Sequence, residues 1–134
     1  MAISNEFELT ILSIAVSALL SGLLGVLISN RDHRRNEIKQ VKLRVLQQLM
    51  GSRYAVNGKD FLGTLNQVAV IFHDSKEVLI ALKSVHEDVM SPNRNPDLSN
   101  QKLLELFKAM FKHLGINTEP LTDNFFLTFF KPTE

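Results

Sequence analysis

The chain has no cysteine and no tryptophan, and only one tyrosine, six glycines and four prolines among its 134 residues. Without cysteine there is no disulfide, no thiolate zinc site and no thiol nucleophile, a usage that suits a reducing compartment. An excess of either charge is also lacking. Fifteen Lys and Arg face 14 Asp and Glu, a formal net charge of +1, so no global field draws the chain to nucleic acid. The phosphate-binding loop, the dinucleotide fingerprint and the nucleophile elbow are all missing from the sequence, and His33, His73, His86 and His113 show no metal-ligand spacing. The chain therefore reads as non-enzymatic, with no metal and no cofactor called for. Its one basic cluster has no interleaved aromatics on which bases would stack, so no nucleic-acid partner is expected.

What the sequence does have is a long apolar run. Residues 9–29 contain no Asp, Glu, Lys, Arg or His. As a helix, 21 residues rise ~31 Å, the thickness of a bilayer's hydrocarbon core. A fully buried core helix is the competing reading, although a small single domain has little with which to cover such a cylinder on every side. A signal peptide fits less well, because the leader MAISNEFE is acidic and the basic residues follow the run. Residues 1–8 hold no Lys or Arg, whereas Arg31, Arg34, Arg35, Lys39, Lys42 and Arg44 come directly after the run. The positive-inside rule then places residues 1–8 outside, 9–29 across the membrane and 30–134 in the cytoplasm. Arg31, Arg34, Arg35 and Lys39 serve topology on this reading, or contact anionic lipid headgroups at ~1 kcal/mol each.

Within the run, Ser13, Ser17, Ser21, Gly25 and Ser29 recur every four residues and form one stripe of small groups. Such stripes let helices approach closely in lipid, which predicts a homo-oligomer. Two other uses are open: serine hydroxyls bonding their own i−4 carbonyls, and a wet, pore-lining face.

The remainder predicts an all-α fold, one membrane helix continuing into a cytoplasmic domain of four to five helices. Ile38, Val41, Val45 and Leu49 mark a stalk helix over 31–50 that stops near Gly51. Phe61, Leu65, Val68 and Phe72 predict a helix over about 59–72, although the stretch from Val68 to Phe72 alone would also suit a strand. Ser75 opens a helix over 76–90, Ser99 one over 100–114, and Gly115 follows the latter as its stop. A last helix over 122–130 would carry Phe125, Phe126, Phe129 and Phe130 on one face, ended by Pro132. That face docks on the core, lies in the membrane interface beside Lys131, or meets a partner.

Arg53 and Asn66 are the two polar residues that stand out. Arg53 follows a helix end and suits the last carbonyls of the stalk, while Asn66 suits a neighbouring backbone group. The alternative is an anionic ligand such as a small nucleotide signal, held by Arg53 with Lys59 and Asn66. Leu49-Met50-Gly51-Ser52-Arg53, followed by Leu65-Asn66 and Phe72, resembles the core of an uncharacterised family of small bacterial single-pass membrane proteins. Leu103-Leu104, Leu114-Gly115-Ile116 and Phe130-Lys131-Pro132 match its later parts. Thr64 stands where the family pattern has Ala, and a Phe pair where it has Tyr. The resemblance implies a bacterial inner-membrane location and supplies no activity. Function is then expected through assembly: a membrane-perturbing effector or accessory subunit of a stress or phage-defence system. A passive anchored adaptor that recruits a cytoplasmic protein is the alternative.

Overall fold

The computed structural model describes residues 2–130. Among them are five α-helices and no strand: α1 (Ala2–Gly51), α2 (Lys59–Ile71), α3 (Lys76–Met90), α4 (Pro96–His113) and α5 (Asp123–Leu127), with a single 3₁₀ turn at Arg53–Ala55. The chain divides into two compact units, Met1–Ile38 and Lys39–Glu134.

The first unit is helix alone. α1 is the one helix among the described residues that is long and apolar enough to cross a membrane. Its apolar side chains are exposed all round, Leu12, Leu19, Leu20, Leu23 and Leu27 included. The Ser21 hydroxyl donates to the Ser17 carbonyl at 2.8 Å, and Thr10 does the same to Glu6, so part of the polar content is turned onto the helix's own backbone.

The second unit has a core drawn from all five helices: Val45, Leu46 and Leu49 of α1, Phe61 and Val68 of α2, Val78 and Val85 of α3, Leu106, Phe107 and Met110 of α4, and Phe126 of α5. α1 meets this core with the second half of its apolar spacing, Val45 and Leu49, and not with the first. Ile38 and Val41 are exposed, and Lys42 is buried in their stead with 5% exposure. The stretch from Val68 to Phe72 is helical rather than extended: Val68 and Phe72 point inward, one turn apart, and Val70 points out.

Capping chemistry sets the start of α3 and both ends of α4. Ser75 accepts from the Val78 amide at 3.4 Å and opens α3. α4 begins four residues before the expected Asn100. Its cap is Asn95, whose side chain accepts from the Asp97 amide at 3.0 Å, and Pro96 takes the first helical position, where a missing N–H is harmless. Ser99 therefore lies inside the helix, free to bond across to α3. α4 closes on Gly115 at φ +70°, with Gly115 N–H donating to Lys112 and Ile116 N–H to Phe111, both at 3.0 Å. These are the two bonds of a Schellman motif, and the left-handed φ is what makes glycine the right residue there.

α5 is only five residues long, so the expected four-phenylalanine face over 122–130 does not form. Phe126 is fully buried and Phe125 half-buried, while Phe129 and Phe130 lie beyond the helix and are exposed. Lys131 and Pro132 lie outside the described residues.

Candidate functional site

One polar cluster ties three parts of the second unit together, and Lys42 is its centre. Lys42 sits one turn before Val45 and Leu46 on the buried face of α1, so its aliphatic stem is sequestered with theirs. Its ammonium reaches both carboxylate oxygens of Asp74, Oδ1 at 2.7 Å and Oδ2 at 2.6 Å, and His113 Nε2 at 2.9 Å. Asp74 is in the turn between α2 and α3, and His113 is the last residue of α4. The Phe72 ring packs against both bases, 5.8 Å from the ammonium and edge-on to the imidazole at 5.6 Å.

Donor counting assigns the protonation state. An ammonium has three N–H groups and no lone pair, and here two go to the carboxylate and one to the imidazole. Nε2 of His113 must then accept, which makes the ring neutral with its proton on Nδ1. The bond from Lys42 holds the Asp74 carboxyl below the usual carboxylate range; partial desolvation opposes this, and the charge on Lys42 adds to it.

Arg53 forms a second node. Its Nη1 donates to the Met50 carbonyl at the end of α1, and its Nε donates to the Thr128 carbonyl at 2.8 Å. The guanidinium also lies 5.9 Å from the centre of the Phe125 ring, and the neighbouring Tyr54 meets Phe129 edge-on at 6.1 Å. Partial burial lowers the Arg53 pKa. Arg53 thus bonds the stalk carbonyls and in addition pins the segment after α5.

Arg53, Lys59 and Asn66 do not converge. Lys59 borders an open cavity with Gln48, Ser52 and Tyr54. Asn66, exposed on α2, borders an apolar groove of about 440 Å³ between α2 and α3, lined by Leu65, Leu82 and Val89 with Lys83 and His86. Next to that groove lies a cavity of about 400 Å³ where Asp88, buried on α3, accepts from the Ser99 hydroxyl at 2.5 Å. Arg31, Arg34, Arg35 and Lys39 are all exposed on α1. Lys42, grouped by sequence with these basic residues, is instead engaged in its own cluster. His73 bonds the Val70 carbonyl at 2.9 Å, in the last turn of α2.

Sequence reasoning missed the Lys42 cluster. The available signal was a lysine in register with Val45, Leu46 and Leu49, on a face otherwise apolar. Its partners, 32 and 71 residues away, carry no local mark.

A family model matches residues 4–122 of the chain. The chain belongs to DUF6680, a family of unknown function. No curated protein and no solved structure matches it. The DUF6680 match takes in the apolar run, the basic residues, the whole Lys42 cluster and Arg53. It stops before α5, so Phe125, Phe126, Phe129 and Phe130 and the Phe130-Lys131-Pro132 element fall outside it.

Proposed function

We propose that this chain is a single-pass bacterial inner-membrane protein that acts by assembly rather than catalysis, with residues 9–29 in lipid, the N-terminus outside and the second unit in the cytoplasm. The observation that carries the reading is the state of α1: a charge-free run whose apolar side chains are all exposed. Each Å² of such surface costs ~25 cal/mol to keep in water, and a bilayer removes that cost along the whole run. The basic residues from Arg31 onward, exposed and confined to one side of the run, favour the stated orientation.

Two further features support action through binding. The Ser13, Ser17, Ser21, Gly25 and Ser29 row offers a surface for close helix association, and α1 continues unbroken from that row to the core residues Val45, Leu46 and Leu49. Lys42 and Arg53 are spent internally, Lys42 on Asp74 and His113, and Arg53 on backbone carbonyls. On this reading the protein is a membrane-perturbing effector or accessory subunit of a stress or phage-defence system, in which repacking of the spans disturbs the bilayer.

Since the chain has no native cysteine, topology can be tested directly with Asn5→Cys and Asn93→Cys. An impermeant maleimide should label the first in intact cells and the second only after lysis. Labelling of neither in a membrane fraction, with the chain recovered in the soluble one, defeats the proposal. Loss of membrane potential on overexpression separates an effector from a passive adaptor, which leaves the potential unchanged.

A further inference from the structure

We propose that Lys42, Asp74 and His113 form an acid-released clasp, in which protonation of His113 expels Lys42 and frees the last turns of α1 from α4 and from the turn between α2 and α3. The present geometry exists only with His113 neutral, since Nε2 accepts from an ammonium 2.9 Å away. Protonation puts an N–H where that lone pair was, so two donors and two positive charges face each other. His113 Nε2 is 3.8 Å from Asp74 Oδ1, farther than it is from the ammonium. With a common dielectric, the 1/r dependence makes the new repulsion from Lys42 larger than the new attraction to Asp74.

The two cations also differ in their freedom to move. Asp74 is about half exposed and the imidazole about one-quarter, so a protonated His113 has room to turn onto the carboxylate. The Lys42 side chain is 6% exposed, and a buried ammonium that must share its only carboxylate is driven toward water. Asp74 stays ionised at about pH 5.5, which lies above the ordinary carboxylate range. The other groups around the imidazole do not compensate. Phe72 is apolar, and Lys112 of α4 is paired with Glu77 of α3 at 3.0 Å. The remaining histidines are placed elsewhere: His33 pairs with Glu37, His73 bonds the Val70 carbonyl, and His86 is exposed on α3.

The test uses the full chain in mild detergent, with amide hydrogen exchange over residues 42–50 measured at about pH 8 and about pH 5.5 and corrected for intrinsic rates. The wild type should lose protection about tenfold at the lower pH. His113→Gln, whose amide oxygen accepts from Lys42 but does not titrate, should show equal protection at both. A wild type that is insensitive to pH, or a His113→Gln chain as sensitive as the wild type, overturns the proposal. Should His113→Gln not fold, nitrogen NMR of the wild-type imidazole decides: a proton on Nδ1 at about pH 8 that is joined by one on Nε2 as α1 loosens supports the clasp, and a proton already on Nε2 at about pH 8 refutes it.

Discussion

Lys42 and Asp74, 32 residues apart in the chain, form a two-pronged ion pair in which the cation is buried and the anion stands half in water. That asymmetry makes the two truncations unequal. Asp74→Asn leaves a sequestered ammonium without its counter-charge; with the penalty for breaking a buried pair reduced for the exposure of Asp74, we expect a loss of about 1–2 kcal/mol. Lys42→Met keeps the apolar stem in place and returns Asp74 to solvent, so it should cost less than about 1 kcal/mol.

The pH dependence of the Asp74→Asn difference has a definite sign. Lys42 holds the folded carboxyl below its unfolded value, so in a His113→Gln background, where the clasp stays closed, the advantage over the Asp74→Asn variant is fully present above the ordinary carboxylate range. It shrinks as pH falls below about 4 and vanishes once pH has passed the lower folded value. Chemical denaturation of both proteins at a series of acidic pH values, read through the domain's unfolding, checks the sign.

Gly58 and Gly63 are six and eleven residues beyond Ser52, and an added methyl group should have opposite effects at the two. A Cβ on Gly58 would lie 2.8 Å from the Ala55 backbone carbonyl, which already accepts from the Gly58 amide at 2.7 Å. Backbone cannot yield as a flexible side chain does, so Gly58→Ala should destabilise by about 1–3 kcal/mol. At Gly63, exposed within α2, a Cβ meets nothing within 4 Å. Gly63→Ala should therefore gain about 0.5–1 kcal/mol from helix propensity. Thermal unfolding of the two variants beside wild type should move the midpoint in opposite directions.

The start of α4 shows both how far local signals reach and where they stop. Ser99 and Asn95 are equally acceptable cap residues by type, and only the fold distinguishes them: Asn95 caps Asp97, while Ser99 bonds the buried Asp88. The periodic face of α2, the Ser75 cap and the Gly115 stop were legible because each is determined within a few residues. The exposure of Ile38 and Val41 on α1, the Lys42 cluster and the short α5 were not. Lys42 is buried because Asp74 and His113 come to meet it. The aromatic segment leaves its helix at Thr128, whose carbonyl is held by Arg53 from 75 residues away. From this we expect Asn95→Ala to cost ~1 kcal/mol through the lost cap, and Ser99→Ala about 1–3 kcal/mol by leaving Asp88 without its donor. Exchange rates should differ in kind as well: faster only in the first turn of α4 for Asn95→Ala, and in both α3 and α4 for Ser99→Ala.

The assembly reading makes its sharpest demand at Gly25. A side chain added there meets nothing within 4 Å in the single chain, so a bulky residue leaves the isolated helix intact. Ser21 already returns its hydroxyl to the Ser17 carbonyl, and the hydroxyls of the row are therefore not its only use; what the row offers a second helix is close approach. Gly25→Leu should then abolish self-association in detergent or bilayers while leaving insertion, helicity and the unfolding of the second unit unchanged. Leu20→Ala, on another part of the same helix, is the control and should leave the copy number as in wild type. Mass measurement of the intact complexes reads the copy number directly. A Gly25→Leu chain with the wild-type copy number would mean that the stripe faces lipid, and that any assembly is made by the cytoplasmic helices.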